Sequence, residues 1–558
     1  MIPIISTLRN YQRSWWRFDV IAGLVLATML IPQGMAYAEL TGLPAITGIY
    51  TTIAALLAYS VFGPNRHLVL GPDSSLAPIV AAVILPLAAG DESTAIALAS
   101  ALSLLAGLAC LVAGFLRVGV ITELLSKPVR VGYLNGIAVI VFVSQLPKAF
   151  GFSVDSNQTI DVLMDTFRAI LDGQVVGAAL ALSTGSIIVI VSLRRVSNVI
   201  PGVVIAALGS IAAVALFDLT AQGVEVVGDI VTGLPSLVVP QIGLDAVPSL
   251  FGGALAIALV SFADTGALST TTAIKSGVQV DPNSEIKALG AANLLSGVVQ
   301  GFPTSASSSR TAVAISVGSK TQVTGLIAAA GVIFIMLAVP GLVTEMPSPT
   351  LAAIVITASL TLFDWPSTRW LYQTRKSEFF LLLGAFAGVL LLGILEGIVF
   401  AILLSLANFV RKSIRPHTTE LARVEGVPGY HDRARHPEAE LVPGLLIIRL
   451  DAPLFFANAP AFGRRLQKML GEADRPIGRV LIVGNAINDI DTTGAEILSD
   501  ILDDLDRKGI DLAFGGLKGP VKDRLRDYKL YDRVGEERFF PNTLSAVAFH
   551  KENPPTKT

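Results

Sequence analysis

Two short clusters of glycine, proline and serine interrupt otherwise apolar stretches of this sequence. The first cluster is Gly71-Pro-Asp-Ser-Ser75, and the second contains Pro303 followed by Ser307-Ser-Ser-Arg310. Proline and glycine break helices, so each cluster predicts a short helix that starts partway along an apolar span. The start of such a helix presents unpaired N–H groups and the positive end of the helix dipole. Together with serine hydroxyls and a guanidinium, these groups favour the binding of an anion.

The residues at these two helix starts are the candidate ligands of the anion: Ser74, Ser75, Ser308, Ser309 and Arg310. Serines at helix starts also act as plain N-caps, and that role is the alternative for Ser307. A charged side chain within lipid costs at least about 2.5 kcal/mol, so Arg310 should face a cavity or a partner. An ion pair of Arg310 with Asp264 or Glu39, without ligand contact, is the alternative for Arg310.

Four further polar residues lie inside other apolar spans: Gln33, Tyr37, Glu39 and Asp264. Gln33 and Tyr37, four residues apart on one predicted helix face, are additional candidate ligands, although Tyr37 can equally serve packing. Glu39 and Asp264 are candidate binding groups for a cation that accompanies the anion. A buried Glu39 can accept a proton, whereas near the water interface it would simply be solvated. Asp264 can bind sodium, accept a proton or neutralise Arg310.

The composition indicates that most of the chain lies in a membrane. Of the 558 residues, 52% are hydrophobic and 15% are charged, whereas soluble chains carry roughly 25% charged residues. Charges are sparse from about Asp19 to Val410 and frequent after Arg411, which predicts a membrane domain followed by a soluble one. The net charge of −2 gives no support to nucleic-acid binding. The single cysteine, Cys110, excludes a disulfide within the chain and argues against a Cys/His zinc site; we expect a buried thiol.

Apolar segments of the length that crosses a membrane, about 20 residues, recur along the first part of the chain. Fourteen spans are predicted, near 19–40, 46–63, 68–89, 94–115, 122–147, 174–193, 198–217, 249–272, 284–300, 302–318, 321–342, 348–363, 378–393 and 394–410. The first span lacks a cleavage motif and is expected to be retained as a helix. One set of loops is rich in arginine and lysine, from Arg66 and Arg117 to Arg411 and Arg415, which favours both termini in the cytoplasm.

The two halves of the membrane domain share a displaced pattern of polar interruptions. Pro303 lies 231 positions after Pro72, and Asp264 lies 231 positions after Gln33. Seven predicted spans precede the eighth, so the second half must be inverted in the membrane relative to the first. Interrupted spans at matching positions of inverted halves indicate the binding site of a secondary transporter.

At these residues the sequence resembles the SulP family of anion permeases and exchangers, the sulfate-permease solute carriers. The segment Ile31-Pro-Gln-Gly-Met-Ala-Tyr-Ala-Glu-Leu-Thr-Gly-Leu-Pro-Ala-Ile-Thr-Gly-Ile-Tyr50 is similar to the family's first-span motif. Gly71-Pro-Asp-Ser-Ser75, Ser307-Ser-Ser-Arg-Thr311 and the soluble tail extend the similarity. The resemblance implies fourteen segments in two inverted repeats of seven, arranged as a core and a gate. It also implies that short strands at the start of the third and tenth spans meet at the substrate site.

The same resemblance implies roles for individual residues. The pocket would be lined by Gln33, Tyr37, the Ser74–Ser75 helix start, Ser309 and Arg310. Asp264 matches an acidic position that some members use in cation coupling, whereas Glu39 matches an acidic position that only some members contain. Members are usually dimers in which the core moves against the gate like an elevator.

The polar C-terminal region alternates strand and helix patterns from about 429 to 547. Strands are predicted at 445–450, 480–483 and 511–514, and helices at 461–470 and 494–507, which is typical of a small α/β domain. The motif Asp491-Thr-Thr-Gly494 resembles the loop of STAS domains, in which a hydroxyl residue is phosphorylated. Thr492 and Thr493 are therefore candidate regulatory sites, with plain capping of the helix as the alternative. No motif of an enzyme is recognised in this tail.

These observations predict an N-terminal cytoplasmic segment (1–18), an anion-transport domain (19–415), a linker (416–440), a STAS domain (441–550) and a tail (551–558). The predicted protein is neither an enzyme nor dependent on a cofactor. It is a multi-pass transporter of the plasma membrane, the inner membrane in a bacterium, that carries sulfate, bicarbonate or a dicarboxylate with H⁺ or Na⁺. We expect a homodimer in membrane lipid, with a cytosolic protein partner at the STAS domain. The alternatives are a membrane-anchored STAS signalling scaffold, an uncoupled anion channel and a nucleobase permease, and Arg310 argues against the last.

Overall fold

The computed structural model describes residues 3–117, 126–154, 158–196, 201–228, 233–243, 246–275 and 279–555, apart from the side chains of Lys275 and Leu342. The predicted fifth span (122–147), seventh span (198–217) and tail (551–558) lie partly outside these residues. The chain divides into two compact units, Met1–Ser405 and Leu406–Thr558.

The first unit is helical, with two very short strands. Its first half contains α1 (Pro3–Arg9), α2 (Trp16–Leu40), α3 (Ala45–Phe62), β1 (Leu70–Gly71), α4 (Ala77–Ala88), α5 (Glu92–Phe115), α6 (Lys127–Phe150), α7 (Thr159–Leu171), α8 (Gly177–Val196) and α9 (Gly202–Phe217). Its second half contains α10 (Val247–Lys275), α11 (Pro282–Val298), β2 (Ser305–Ala306), α12 (Ser308–Val317), α13 (Val323–Ala338), α14 (Gly341–Thr344), α15 (Ser348–Leu362), α16 (Trp365–Thr374) and α17 (Lys376–Leu392). Helix α18 (Ile394–Ile414) begins in this unit and runs past its last residue, Ser405. Each of the fourteen predicted spans therefore contains a helix.

The helices have the lengths and surfaces expected of a membrane protein. Among the described residues, eight helices are long and apolar enough to cross a membrane, and α4, α9 and α13 are shorter apolar helices. Large apolar side chains on this unit are exposed, including Leu216 at 79% and Phe334 at 67%. With 12 and 10 residues, α4 and α12 are too short to cross a bilayer, as the interrupted spans predict.

The packing within the first unit follows the predicted inverted repeat. α5 packs against α10 and α11, and its counterpart α13 packs against α2 and α3. In the same way α6 packs against α17, while their counterparts α15 and α8 pack against each other. These contacts define a core of α2–α5 with α10–α13 and a gate that includes α6, α8, α9, α15 and α17. The predicted architecture of two inverted repeats arranged as core and gate is confirmed.

β1 and β2 meet as an antiparallel pair, with Leu70 opposite Ala306 and Gly71 opposite Ser305. Extended backbone at membrane depth needs hydrogen-bond partners from the surrounding protein. Polar side chains of α10, α11 and α12 supply them: Thr311 Oγ1 accepts from Val69 N (3.1 Å), Asn293 Oδ1 from Thr304 N (2.9 Å) and Thr265 Oγ1 from Ala306 N (3.2 Å). The strand pair is thus held between the two half-helices α4 and α12.

A buried carboxylate ties α2 to the start of α13. Asp19 Oδ1 accepts hydrogen bonds from Lys320 N (2.7 Å), Thr321 N (3.1 Å) and Thr324 Oγ1 (2.9 Å). The Tyr11 hydroxyl donates to the other carboxylate oxygen (3.0 Å). A negative charge at the N-terminal end of a helix is stabilising, so Asp19 fixes the first span of one repeat against the other repeat.

The second unit is an α/β domain. Its elements are β3 (Thr418–Ala422), β4 (His431–Asp432), β5 (Gly444–Leu450), α19 (Ala459–Gly471), β6 (Ile477–Val483), α20 (Thr492–Arg507), β7 (Asp511–Gly515), α21 (Gly519–Asp527), α22 (Leu530–Val534), β8 (Phe539–Phe540) and α23 (Thr543–Glu552). The strand order is β4-β3-β5-β6-β7-β8, with β5 to β8 parallel and β3 antiparallel to β5. The three predicted strands and two predicted helices are all present.

The stretch 416–440, predicted as a linker, instead carries the strands β3 and β4. Thr418 of β3 pairs with Leu450 of β5, and Asp432 of β4 pairs with Leu421. Thr419 Oγ1 donates a hydrogen bond to the Asp432 carboxylate. These strands are short and polar because they form one edge of the sheet, so their sequence lacks the apolar run that marked the central strands.

In the second unit, the predicted regulatory threonines lie at the start of α20. Asp491 Oδ1 accepts from Gly494 N (2.7 Å), so Asp491 caps this helix. Thr492 is exposed and Thr493 is half-buried. The structure therefore gives the capping role to Asp491 and leaves the Thr492 side chain accessible, while phosphorylation of either threonine stays a prediction.

Candidate anion site

Arg310 lies on the first turn of α12 and is only 1% exposed. Its Nη2 lies 3.4 Å from Asp73 Oδ1, so its ion-pair partner is Asp73, and the predicted alternatives Asp264 and Glu39 are wrong. Its Nη1 has no hydrogen-bond partner among the described residues. A buried guanidinium with unused donor capacity is well suited to bind an anionic oxygen.

Asp73 lies at the centre of a polar cluster that also contains Arg310, Ser75 and Asp264. Its Oδ2 accepts hydrogen bonds from Ser75 N (3.0 Å) and from Ser75 Oγ (2.7 Å). Its backbone oxygen accepts from the N–H of Ala77, the first residue of α4 (3.0 Å). The bond from Ser75 N to the Asp73 side chain closes a turn just ahead of α4, whose N-cap residue is Leu76, so the carboxylate lies near the positive end of the half-helix.

Ser75 links carboxyl groups from the two repeats. Its Oγ lies 3.3 Å from Asp264 Oδ2 on α10, and Ser75 itself is 1% exposed. Arg310, Asp73, Ser75 and Asp264 thus form one continuous polar chain through the middle of the core. Three of these four residues were predicted to belong to the site.

Helix α2 adds Tyr37 and Gln33 to this cluster. The Tyr37 hydroxyl interacts with the Ser74 side chain, and Tyr37 is close enough to Asp73 and Arg310 to interact with their charges. Gln33, one turn earlier on α2, is 8% exposed, and its amide forms no hydrogen bond within the described part of the chain. Both side chains therefore remain candidate ligands, with a free amide at Gln33.

The serines at the start of α12 are placed differently from those of α4. Ser308 and Ser309 are exposed, and Ser309 Oγ lies 3.1 Å from the Oγ of buried Ser307. No side-chain hydrogen bond from Ser307 caps α12, so the simple capping alternative is not realised. Among the described residues, no hydrogen bond joins Ser308 or Ser309 to the Arg310 side chain.

Helix α6 of the gate faces the Asp264 end of the cluster. Arg130 and Tyr133, almost one turn apart on α6, both interact electrostatically with the Asp264 carboxyl. Tyr133 Oη is buried without a hydrogen-bond partner in the described residues. The charged cluster of the core therefore borders the gate directly.

Glu39 lies apart from the Arg310 cluster. Its carboxylate is 3.5 Å from Lys148 Nζ on α6, so this pair joins the core to the gate. Glu39 and Lys148 line a cavity of about 740 Å³, together with Tyr50 and Glu225. Neither Arg310 nor Asp73 lines that cavity. The structure thus separates the two predicted coupling carboxyls, with Asp264 at the site and Glu39 beside the cavity.

Two family matches cover most of the chain. Residues 17–385 match the Sulfate permease family, and residues 436–546 match the STAS domain. The chain belongs to the sulfate permease family. This permease is 38% identical over 98% of its length to a probable sulfate transporter of Mycobacterium tuberculosis, covering 97% of that protein. It is 32% identical over 84% of its length to human solute carrier family 26 member 6, covering 65% of that protein.

The fold of the permease is also found in a solved structure. Murine solute carrier 26 family member A9, an anion transporter in its inward-facing state, matches with a TM-score of 0.90 at 21% identity, over 99% of the permease and 94% of that chain. The family matches and the relatives named above make the permease a multi-pass membrane anion transporter with a STAS domain. Its relatives are transporters, which confirms that it is not an enzyme.

Sequence reasoning missed two groups of site residues in the permease. Asp73 follows a helix-breaking proline and precedes two serines, and an aspartate in that position commonly accepts a hydrogen bond from the backbone two residues on. That pattern was sufficient to find it. Arg130 and Tyr133 carry no comparable motif, and only the packing of α6 against the core brings them to Asp264.

Gly71→Ala in the permease should greatly reduce anion transport while leaving the fold intact. A Cβ at Gly71 would lie 2.7 Å from Arg310 Nη1, so the guanidinium must move away from its present position. The β1–β2 pairing itself tolerates alanine, since only the side-chain space changes. Anion uptake and the melting temperature of the purified variant measure the two effects.

Gly252→Ala on α10 is the matched control for that change, because an added Cβ there meets nothing within 4 Å. It should transport like the wild type. Normal transport by Gly71→Ala would mean that Arg310 need not occupy its present place.

Proposed function

We propose that this permease is a secondary active symporter of a small anion, with H⁺ or Na⁺ as the coupling ion. The observation that carries the proposal is the buried Arg310, whose Nη1 is unpaired where two half-helix starts meet. Sulfate is the first candidate substrate because a relative 38% identical over nearly the whole chain bears that name. Bicarbonate and dicarboxylates fit the same donors and are the other candidates.

The charges at the site support coupling to a cation. Arg310 pairs with Asp73, and Arg130 of α6 interacts with Asp264. If all four groups are ionised, their charges balance, and an entering anion makes the net charge negative. Burying unbalanced charge is costly, so a proton or sodium ion that enters with the anion lowers that cost. Asp264 and Glu39 are the predicted coupling groups, and Asp264 is the one that borders the site.

An elevator-like movement of the core against the gate is the proposed mechanism. The cluster lies on core elements, α2, α4, α10 and α12, and meets the gate through α6. A core that carries its ligands as one body can present the site to either side of the membrane. The Glu39–Lys148 pair joins core and gate in this arrangement, and it would have to break in such a movement. A homodimer in the plasma membrane with both termini in the cytoplasm completes the proposal.

Uptake into proteoliposomes tests the proposed function. The purified full-length protein is offered radiolabelled sulfate, bicarbonate, succinate and uracil, each with an imposed proton gradient, sodium gradient or neither. Saturable accumulation of at least one anion against its gradient, driven by one of the two cations, is expected. Uptake that merely equilibrates would indicate an uncoupled channel, and uptake of uracil alone would indicate a nucleobase permease.

Removal of Arg411–Thr558 separates transport from a signalling role. The shortened membrane domain should retain gradient-driven uptake if the second unit is regulatory. A signalling scaffold would show no uptake with either the full-length or the shortened protein.

A further inference from the structure

Asp73 already occupies the place that an incoming anion is expected to take. Its carboxylate accepts hydrogen bonds from the backbone N–H of Ser75 in the turn before α4, from the Ser75 hydroxyl and from the Arg310 guanidinium. These are the kinds of donor that bind sulfate, phosphate and carboxylate groups at helix starts. A substrate anion cannot use the same donors until the Asp73 carboxylate releases them.

The geometry around Ser75 leaves two carboxyl groups to share one hydroxyl proton. Ser75 Oγ lies 2.7 Å from Asp73 Oδ2 and 3.3 Å from Asp264 Oδ2. A hydroxyl donates only one hydrogen bond, so two ionised carboxylates cannot both be satisfied, and one additional proton completes the network. The other charged or titratable groups that face the pair come from α12, α2 and α6: Arg310, Tyr37, Arg130 and Tyr133.

We propose that Asp73 is a tethered competitor of the substrate and that protonation of its carboxylate opens the site. A proton from water adds to Asp73, the ion pair with Arg310 is lost, and Arg310 keeps its own proton. The guanidinium and the start of α4 then bind the anion in place of the carboxylate. When the anion leaves, Asp73 returns its proton to water and pairs with Arg310 again. This inference rests on the proposed transport function, and it assigns the coupling proton to Asp73, shared with Asp264 through Ser75.

Sulfate binding by the purified full-length protein across a pH series tests this inference. Binding that takes up one proton should weaken about tenfold for each unit of pH rise, as long as Asp73 is ionised in the empty site. Asp73→Asn mimics the protonated carboxyl, so its Kd for sulfate should be low and independent of pH. Asp172→Asn changes an exposed carboxyl, and this matched control should keep the wild-type slope.

Two results for Asp73→Asn overturn the inference: the wild-type pH slope, or loss of sulfate binding at every pH. If this variant does not yield folded protein, Ser75→Ala keeps both carboxyls and removes the hydroxyl that donates to Asp73. Its binding curve should then shift to higher pH, and an unshifted curve also overturns the inference. If the wild-type protein binds sulfate equally at all pH values, this inference alone is overturned. If the wild-type protein neither binds nor transports any anion, the proposed function is overturned as well.

Discussion

Arg310→Gln should lower sulfate uptake about a hundredfold or more while the protein still inserts into the membrane. The change removes the guanidinium that lies beside Asp73 at the meeting point of the half-helices. Truncating one member of a desolvated charge pair costs about 3 kcal/mol, which equals about a hundredfold in affinity. Arg310→Lys keeps the charge but loses the planar fork of donors, so its uptake should be intermediate. Radiolabelled sulfate uptake, normalised to the protein incorporated into liposomes, measures the series.

A double variant distinguishes loss of the ligand from loss of stability. Arg310→Gln leaves Asp73 buried without its partner, which should lower the melting temperature. Combining it with Asp73→Asn should restore the melting temperature but not the uptake. Arg66→Gln removes the same charge from an exposed residue and should alter neither. Wild-type uptake by Arg310→Gln would show that the substrate binds elsewhere.

Gly48→Ala should prevent stable folding of the membrane domain. Helices α2 and α3 approach so closely that a Cβ at Gly48 would lie 1.9 Å from the backbone oxygen of Gly34. A backbone atom cannot yield unless the two helices separate. Overpacking by side chains typically costs about 1–3 kcal/mol, and a contact this short with backbone should exceed that range. The yield of monodisperse protein in size-exclusion chromatography and its melting temperature report the effect.

Gly185→Ala on α8 is the matched control, because an added Cβ there meets nothing within 4 Å. Alanine favours a helix over glycine by about 1 kcal/mol, so this variant should be neutral or slightly stabilised. A wild-type melting temperature for Gly48→Ala would contradict the close approach of α2 and α3. Gly34 directly follows Gln33, so the same contact also fixes the α2 end of the anion site.

The repeat and its two half-helices were predictable because proline and glycine mark them at matching distances in the sequence. The burial of Arg310 followed from the same pattern, since a charge in a membrane span needs a partner. Its partner did not follow: Asp264 and Glu39 were predicted, whereas the pairing with Asp73 depends on how β1 and β2 meet. That pairing joins segments far apart in the chain, and local pattern carries no information about it.

Helix geometry explains why the side chains of Tyr37 and Glu39 face different surroundings. Residues two positions apart on a helix of 3.6 residues per turn lie about 200° apart around its axis. Tyr37 therefore faces the Arg310 cluster while Glu39 faces Lys148 and the neighbouring cavity. The sequence alone predicts that Tyr37 and Glu39 lie on different faces of α2. The contact of Glu39 with Lys148 could not be predicted, because it depends on side-chain length and on the position of α6. No comparable sequence pattern predicts the strands β3 and β4, because short strands at the edge of a sheet lack a clear apolar pattern.

Asp73 and Arg310 are 237 positions apart along the chain, and this distance has a consequence for biosynthesis. The carboxylate enters the bilayer with the third segment, long before its counterion has been translated. An unpaired aspartate at membrane depth costs about 3 kcal/mol, so the nascent first repeat must keep this residue hydrated or neutral. Only when α12 has been synthesised does the chain supply the guanidinium that pairs with this carboxylate.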